Sequence, residues 1–412
     1  MYIKHAVKVS GWHCAKFMAI VILGTAVFGG SLVSANPDFS KVNDILYGER
    51  HLLPNDDLVF MGHVGFFGGY NHIIESQQVV FQTTDSKIAG TKQLLSEYGY
   101  GRDYFNNTAL AVGRMFILPN DVIAYRAFGQ HEFIHKDQAF DIYDPVQCNR
   151  IQSLIPVDSE VDYAAMADFN YDGFDELIVH TESGEVYIAT AKNLTDLKQG
   201  LIWQRLGNTG KSEVVRAFDI FEFPDELPGT KRKAFIRVQD REQGNGLEIQ
   251  YLRVDPATLK PVPSIITNGL NIPGSKGSLA SVSVAVGRYG STHHDQLAVA
   301  YTKNGAAQVS VYDYGNQHGF QRKASLDLGL APDVLIKSGR INGLGPFHQA
   351  VVWSGNLLAP AESKLRVLTF DVNLNIANPG QLTFSRECFS DFTLGRFDPQ
   401  QPPTPNLQVA LL

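Results

Sequence analysis

The stretch from Ala165 to Val179 reads AMADFNYDGFDELIV, and it decides the fold. It contains an apolar run, a small residue followed by an acidic and an aromatic residue, a polar loop, and a second apolar run. Residues 285–299 read AVGRYGSTHHDQLAV and align with the first stretch without a gap. Self-similarity of this kind is typical of repeat proteins, in which each copy forms one supersecondary unit.

The same pattern recurs along the chain. An apolar strand ends in a Gly-Arg-aromatic or Ala-Asp-aromatic step, which is followed by a polar loop and a second strand. The first and last steps are separated by six intervals that average about 55 residues. The long interval before residue 287 predicts an insertion around residues 240–275. The steps lie at residues 62, 113, 167, 217, 287, 339 and 395, of which those at 62 and 217 are weak copies.

Each second strand leads through a glycine-containing turn into a third strand, as in Leu177–Val179, Gly184 and Val186–Ile188. Alternating strands around such turns are typical of β-hairpins, and a fourth apolar stretch then precedes the next step. Four short strands per unit of this length are typical of a β-propeller blade. We therefore expect an all-β protein, a β-propeller of six or seven four-stranded blades over residues 55–412. The last blade is expected to be incomplete, which predicts a fragment or a ring closed by a partner or by an unusual arrangement.

The loop that begins at Asp168 carries the candidate metal ligands. Side-chain oxygens fall at loop positions 1, 3, 5 and 9, a glycine at position 6 permits a sharp turn, and the carbonyl at position 7 can point inward. This spacing suits Ca²⁺, a hard cation that takes six to eight oxygen ligands, and no soft ligand that would favour zinc or copper is nearby. The alternative reading is an acidic turn that binds nothing. The predicted ligands are Asp168, Asn170, Asp172, Phe174 and Glu176, with Gly173 as the turn-forming residue.

An EF-hand would also use this ligand spacing, but it requires a glutamate at position 12 and flanking helices. Position 12 is Val179 and the flanks are predicted strands. Asp175 is expected to point away from the loop. The other copies mostly lack ligands and place an arginine at position 1, so a guanidinium could replace the metal there. These residues are Arg114, Arg288, Arg340 and Arg396.

The segment from Asp168 to Val179 resembles the FG-GAP or VCBS repeat of integrin-α-like β-propellers. That unit reads as a small residue, Asp-Phe-Asn-x-Asp-Gly-aromatic-Asp-Asp, and an apolar strand; here position 9 is Glu176. The resemblance is specific over this loop, and degenerate but in phase across residues 55–412. It implies a propeller with Ca²⁺ in its inter-strand loops and a role in extracellular recognition or adhesion, or a lectin-like role.

The amino terminus has the layout of a secretory signal peptide. Three lysines precede an apolar run from Phe17 to Val33, and small residues precede Asn36. We expect residues 1–35 to be the signal, with an uncleaved anchor as the alternative, and residues 36–54 to be an extension. No later segment is long and apolar enough to span a bilayer. The protein is therefore expected in the periplasm, at the cell surface or outside the cell.

Charge and cysteine content change when the leader is removed. The whole chain has 35 basic and 42 acidic residues, and the leader holds three lysines and no acids, so the net charge moves from -7 to -10. This acidic balance argues against nucleic acid as a partner, because phosphate binding needs a basic face. Two exported cysteines remain, Cys148 and Cys388, and they could form one disulfide.

The segment His131–His135 reads HEFIH and matches the H-E-x-x-H signature of zinc proteases. That chemistry needs a helix that places both histidines on one face. The repeat phase instead predicts a strand, on which both histidines and Phe133 share a face with no third ligand. We therefore do not predict a zinc protease. His293 and His294 lie in a loop and are expected to be solvated.

The leading functional prediction is a secreted calcium-binding β-propeller that recognises a protein or a glycan. One alternative is a scaffold within a larger secreted toxin or surface protein. Another is a propeller-fold polysaccharide lyase or hydrolase, although no repeated acid, base or nucleophile marks such a site. Because fold does not imply function, the sequence does not identify the ligand.

Overall fold

The computed structural model of this chain consists of β-strands and connecting turns; within the residues that it describes there is no helix. The prediction of an all-β protein is thus confirmed for this part of the chain. The leader, residues 36–54, Cys148, Cys388 and the HEFIH segment lie outside it. The described residues are 60–68, 73–84, 87–99, 110–115, 122–126, 139–144, 149–154, 159, 161–190, 201–210, 215–224, 232–241, 246–262, 266–270, 272, 279–290, 293–315, 318–339, 347–356, 361–387, 392–395 and 408–411.

The strands form antiparallel sheets in which neighbours in sequence are neighbours in space. We number these sheets one to seven in chain order. Sheet one contains β1 (Phe60–Gly68), β2 (Ile73–Thr84) and β3 (Lys87–Gly99); sheet two contains β4 (Leu110–Gly113), β5 (Val122–Arg126), β6 (Ala139–Asp144) and β7 (Asn149–Leu154); sheet three contains β8 (Val161–Ala167), β9 (Glu176–Thr181), β10 (Glu185–Thr190) and β11 (Ile202–Asn208).

The remaining sheets follow the same up-and-down order. Sheet four contains β12 (Val215–Phe223), β13 (Arg232–Asp240), β14 (Leu247–Arg253) and β15 (Ile266–Gly269); sheet five contains β16 (Leu279–Gly287), β17 (Gln296–Lys303), β18 (Ala306–Gly315) and β19 (Gly319–Leu330); sheet six contains β20 (Asp333–Gly339), β21 (Gln349–Gly355), β22 (Ala361–Phe370) and β23 (Ile376–Glu387); sheet seven contains β24 (Phe392–Gly395) and β25 (Gln408–Leu411).

The described chain divides into two compact units. The first holds sheets one to three together with Gly395, and the second holds sheets four to six and the rest of sheet seven. Sheet one departs from the predicted repeat. Gly62 lies inside β1, where it pairs with Val79, and is followed by further strand residues rather than by a loop.

The core of the second unit lies between the faces of consecutive sheets. In β17, alternate side chains serve two different clusters: Leu297, Val299 and Tyr301 pack with residues of sheet four, whereas Ala298 and Ala300 pack with residues of sheet six. Successive strand residues point to opposite faces, so the central strands are buried on both sides. This explains why they read as continuous apolar runs.

Aromatic rings fill the space between sheets four and five. Phe223 contacts the ring of Tyr314 edge-on, with centroids 4.6 Å apart, and Phe221 contacts Phe320 in the same manner at 5.1 Å. Such edge-to-face pairs are the arrangement that aromatic quadrupoles favour. The first unit has a smaller cluster of its own, which includes Val122, Leu177 and Val179.

The first strands of sheets five and six donate hydrogen bonds to side chains of the sheet before them. Ser283 Oγ of β16 accepts the N–H of Ile336 in β20 at 3.1 Å, and Asp219 Oδ2 of β12 accepts the N–H of Val286 in β16 at 3.0 Å. An unpaired strand edge is a template for non-native pairing. These side-chain bonds therefore hold the first strands of consecutive sheets beside one another, while the strands stay in separate sheets.

Candidate functional site

The candidate metal loop joins the first two strands of sheet three. It starts after Ala167 at the end of β8 and ends at Glu176, which begins β9 and pairs with Ala167 across the strands. The loop is therefore held at both ends by one strand pair. The predicted ligands are brought to one end of this sheet because β8 and β9 meet there.

Asp168 organises the loop from its first position. Its Oδ1 accepts the backbone N–H of Asp172 at 3.1 Å, and its Oδ2 accepts that of Gly173 at 2.9 Å. Gly173 has φ 91°, a left-handed conformation that is costly for a residue with a Cβ. Tyr171 is also left-handed, with φ 59°. The turn thus wraps the chain around one carboxylate.

Three of the predicted ligands meet through their side chains. Asn170 Nδ2 donates to Asp172 Oδ2 at 3.0 Å and to Glu176 Oε1 at 2.8 Å. The oxygen of the same carboxamide, Asn170 Oδ1, accepts the N–H of Asp172 at 2.9 Å. An oxygen-seeking cation would therefore compete with the Asn170 amide for these two carboxylates.

Glu176 is the most deeply buried acid of the loop. It is only 5% exposed, and its Oε2 accepts the backbone N–H of Phe169 at 2.8 Å. Burial raises the pKa of Glu176 to about 7, and the nearby charges of Asp172 and Asp168 act in the same direction. A buried carboxylate beside two others favours protonation or a bound cation.

Phe174 contributes its backbone to the loop and its ring to the neighbouring sheet. Its N–H donates to Asp172 Oδ1 at 2.9 Å. The guanidinium of Arg114 lies 5.4 Å above the centre of its ring, within the range of a cation–π contact. The backbone of this position therefore follows the turn while the side chain faces sheet two.

The donors that the loop brings together are of the type that Ca²⁺ needs. The predicted side-chain ligands offer carboxylate oxygens and one carboxamide oxygen, which are the hard ligands that Ca²⁺ requires. These residues are Asp168, Asn170, Asp172 and Glu176. Their side chains are not gathered as a ready cage: in the described residues no group of three or more His, Cys, Asp or Glu side chains is arranged to hold a metal. The donor types fit calcium. To bind the ion, the carboxylates of Asp172 and Glu176 would have to lose their hydrogen bonds from the Asn170 amide nitrogen.

Asp175 points out of the loop and binds the preceding sheet. Its Oδ2 accepts the N–H of Arg114 at 2.7 Å, and its own N–H donates to the carbonyl of Arg114 at 2.8 Å. Gly113 precedes Arg114 and lies so close that an added Cβ would be 2.7 Å from Asp175 Oδ2 and from Met166 Cβ. We call this two-bond contact the inter-sheet clamp.

The inter-sheet clamp recurs in the second unit. Asp295 occupies the place of Asp175, accepts the N–H of Glu222 at 2.7 Å and donates its N–H to the carbonyl of Glu222 at 3.1 Å. In sheet six the N–H of His348 donates to the carbonyl of Arg288 at 3.0 Å. The loop thus joins each of these sheets to the sheet before it, whether or not it carries predicted metal ligands.

The clamp also locates the repeat step of sheet four. Because Asp175 binds Arg114, directly after Gly113, the equivalent partner of Asp295 marks residues 221–222 as the step. The sequence pattern places this weak copy near residue 217, to within a few residues. The structure therefore moves this step by four residues, to a point 54 residues after Ala167 and 66 before Gly287.

The equivalent loop of sheet five has a neutral side chain at position 9. Gln296 replaces Glu176, and its Oε1 accepts the N–H of Gly290 at 3.2 Å while its Nε2 lies 3.3 Å from His294 Nε2. His294 Nε2 is also 2.9 Å from Asp313 Oδ1. The expectation that His294 is merely solvated is therefore wrong.

The arginines at loop position 1 do not point freely into solvent where the structure describes them. Arg288 binds Glu222 of sheet four at 3.0 Å and lies 3.8 Å from Asp295 of its own loop. Arg114 lies over Phe174. Both guanidinium groups thus serve contacts between sheets. Arg340 and Arg396 lie outside the described residues.

Comparisons with known proteins add little to this picture. No protein family and no curated protein matches the chain. A solved structure that is similar is that of a protein from Lactobacillus plantarum, a target of the Northeast Structural Genomics Consortium. It shares 10% sequence identity with this chain, with a TM-score of 0.46, over 76% of this chain and 80% of that chain. A likeness at this level contributes nothing to the assignment of fold or function.

Where the structure describes the chain, it has no helix long and apolar enough to cross a membrane.

Proposed function

We propose that this protein is an exported calcium-binding β-propeller of the FG-GAP or VCBS type, which recognises an extracellular protein or glycan. The observation that carries the proposal is the loop of sheet three. It alone combines acids at positions 1, 5 and 9 with an amide at position 3 in the repeated pattern. The sequence of the leader supports the exported location.

The propeller is supported by the way consecutive sheets pack in each unit. Sheets of four antiparallel strands bury both faces of their central strands, and their first strands run side by side. Radial repetition of such sheets is how propellers protect their strand edges. The structure itself establishes the sheets and their pairwise contacts within each unit.

Calcium in this loop would have a structural role. Asp168, Asp172 and Glu176 would bind it, with Asn170 supplying its carboxamide oxygen, and the ion would neutralise three neighbouring carboxylates. Because Asp175 of the same loop clamps sheet two, an ordered loop stiffens the contact between two sheets. Recognition would then use a surface that these loops hold in place, where Tyr171 is 39% exposed.

The proposal is tested by removing the metal. Purified full-length mature protein is expected to contain about one Ca²⁺ per chain by elemental analysis, and EGTA is expected to lower its melting temperature. Asp172→Ala should abolish the EGTA effect. The matched control is Asp371→Ala, because Asp371 also caps a turn, through the N–H groups of Asn373 and Asn375.

The control variant is expected to melt earlier than wild type while keeping the full response to EGTA. An unchanged wild-type melting curve in EGTA would contradict a calcium role. The recognition part of the proposal is checked separately, by binding of the calcium-loaded protein to a glycan array and to extracellular proteins. Binding that persists in EGTA would place the recognition surface elsewhere.

A further inference from the structure

Arg366 is a buried cation that has no counter-charge among the described residues. It lies in β22, opposite Val352 of β21, and is 6% exposed. Across the described residues no carboxylate forms an ion pair with it, whereas Arg216 binds Asp240 at 2.7 Å and Arg288 binds Glu222 at 3.0 Å. Burial lowers the pKa of the Arg366 guanidinium, with no acid opposing the effect.

Two neutral oxygens of adjacent strands hold the side chain in place. Arg366 Nη1 donates to Ser354 Oγ at 2.8 Å, and Nη2 donates to the carbonyl of Leu328 at 2.7 Å. Leu328 belongs to β19 of sheet five, so the guanidinium lies between sheets five and six. A guanidinium has five N–H donors, and three of them receive no acceptor from the described protein.

The surroundings offer further donors on the same side of sheet six. Ser354 is 4% exposed, and because its oxygen accepts from Arg366, its hydroxyl hydrogen remains available to a ligand. Lys364 is opposite Ser354 and two residues from Arg366, so the three side chains share one face of the sheet. Its ammonium is partly exposed and lies 3.3 Å from Glu362.

From this arrangement we propose that Arg366 and Ser354 form a binding site for a small oxyanion, a carboxylate or a phosphate group, between sheets five and six. A planar guanidinium with free N–H groups matches both anions through paired hydrogen bonds. A buried charge without a partner is strongly unfavourable, and a bound anion removes that penalty. The site is independent of the calcium loop, which lies in the other unit.

The proposal is tested with the full-length mature protein in EGTA, at constant ionic strength maintained with chloride. Melting temperature is measured against increasing inorganic phosphate and, separately, acetate. Wild type is expected to show a saturable rise with at least one of the two anions. Arg366→Met, which keeps the length and apolar stem of the side chain, is expected to show none.

The matched control is Arg216→Met, because Arg216 is a paired arginine of the same unit. It should respond to the anions as wild type does. Equal shifts in wild type and Arg366→Met, or no saturable shift of wild type with either anion, would overturn the site.

Two milder variants keep the test valid if Arg366→Met does not fold. Ser354→Ala removes one donor and should raise the half-saturating anion concentration at least threefold. Arg366→Lys keeps the charge but loses the planar group, and should raise it about tenfold. If both variants titrate as wild type does, Arg366 has only a structural role, through its hydrogen bond to the carbonyl of Leu328. Because EGTA is present throughout, these results do not depend on whether calcium binds.

Discussion

Glu176→Gln tests the electrostatics of the loop most directly. In the calcium-free protein, burial raises the pKa of Glu176 from 4.5 to about 7. An acid with a raised folded-state pKa holds its proton more tightly in the folded than in the unfolded chain. The free energy of unfolding of wild type therefore falls as pH rises from about 4.5 to about 7, and is then constant. The shift of about 2.5 units corresponds to at most about 3 kcal/mol.

Glutamine removes the charge but changes two hydrogen bonds. Its oxygen can still accept the N–H of Phe169, whereas its amide nitrogen would face Asn170 Nδ2, which now donates to Glu176 Oε1 at 2.8 Å. Losing that bond costs about 1 kcal/mol. Without calcium, the variant should thus be about 1–2 kcal/mol more stable than wild type at pH 8, and about 1 kcal/mol less stable at pH 4.5.

The assay is urea unfolding of wild type and variant in EGTA at both pH values, monitored by tryptophan fluorescence. Gln296 already occupies the equivalent place in sheet five, so the substitution gives position 9 the residue type that the other loop has there. Adding Ca²⁺ at pH 8 should reverse the order of stability, because only wild type gains from the ion. A difference between the proteins that is the same at pH 4.5 and pH 8 would refute the assignment of the raised pKa to Glu176.

Three further substitutions test the packing of the sheets, each by chemical denaturation. Gly113→Ala should cost about 1–3 kcal/mol, since the new Cβ would lie 2.7 Å from Met166 Cβ; Gly315→Ala, which meets nothing within 4 Å, should be nearly neutral, and equal effects would contradict the argument. Ser283→Ala should cost about 1–2 kcal/mol at any pH, because the N–H of Ile336 loses its acceptor; a pH-dependent loss would point to another cause. Trp353→Phe should change stability by no more than about 1 kcal/mol, because the substitution removes a buried indole N–H that has no acceptor among the described residues, and this offsets the lost volume; a loss above about 3 kcal/mol would show that the N–H is satisfied.

The strand pattern was predictable because both of its signals are local. Central strands such as β17 and β21 are buried on both faces and read as apolar runs, and the turns between them are marked by glycine. The left-handed φ of 87° at Gly184 shows why a glycine is needed in that hairpin. Sheet one was poorly predicted, since its long strands carry no loop after Gly62.

The misplaced step of sheet four has a physical cause. Residues 217–219 read Ala-Phe-Asp and imitate the Ala-Asp-Phe step of sheet three. The true step is defined by the clamp between Asp295 and Glu222, in which Glu222 contributes only its backbone. A contact made by backbone atoms leaves the side chain at that position free to vary. No residue type therefore marks it in the sequence.

Long-range partners within the site were equally invisible to local patterns. Glu222 and Arg288 are 66 residues apart and form an ion pair. Asp313 of β18 contacts His294, which precedes β17, at the open end of the hairpin that these two strands form. The candidate metal loop could be picked out from the sequence because its acids lie within nine consecutive residues. The orientation of the Asn170 amide could not, because it depends on which carboxylates the folded loop brings near.

Two features of the repeated loop vary independently: the backbone contact with the preceding sheet and the predicted metal ligands. Position 8 of the loop, Asp175 or Asp295, binds the backbone of the preceding sheet both where the loop has metal ligands and where it has neutral ones. Positions 1, 3, 5 and 9 vary between acids and residues such as Gly290 and Gln296. Contact with the preceding sheet is therefore common to these loops, and the predicted metal ligands are an addition in one of them. It follows that loss of calcium should loosen the contact between sheets two and three while leaving sheets four to six intact, which amide hydrogen exchange in EGTA can show. Uniform loss of protection in all sheets would mean that the loop of sheet three supports the whole molecule.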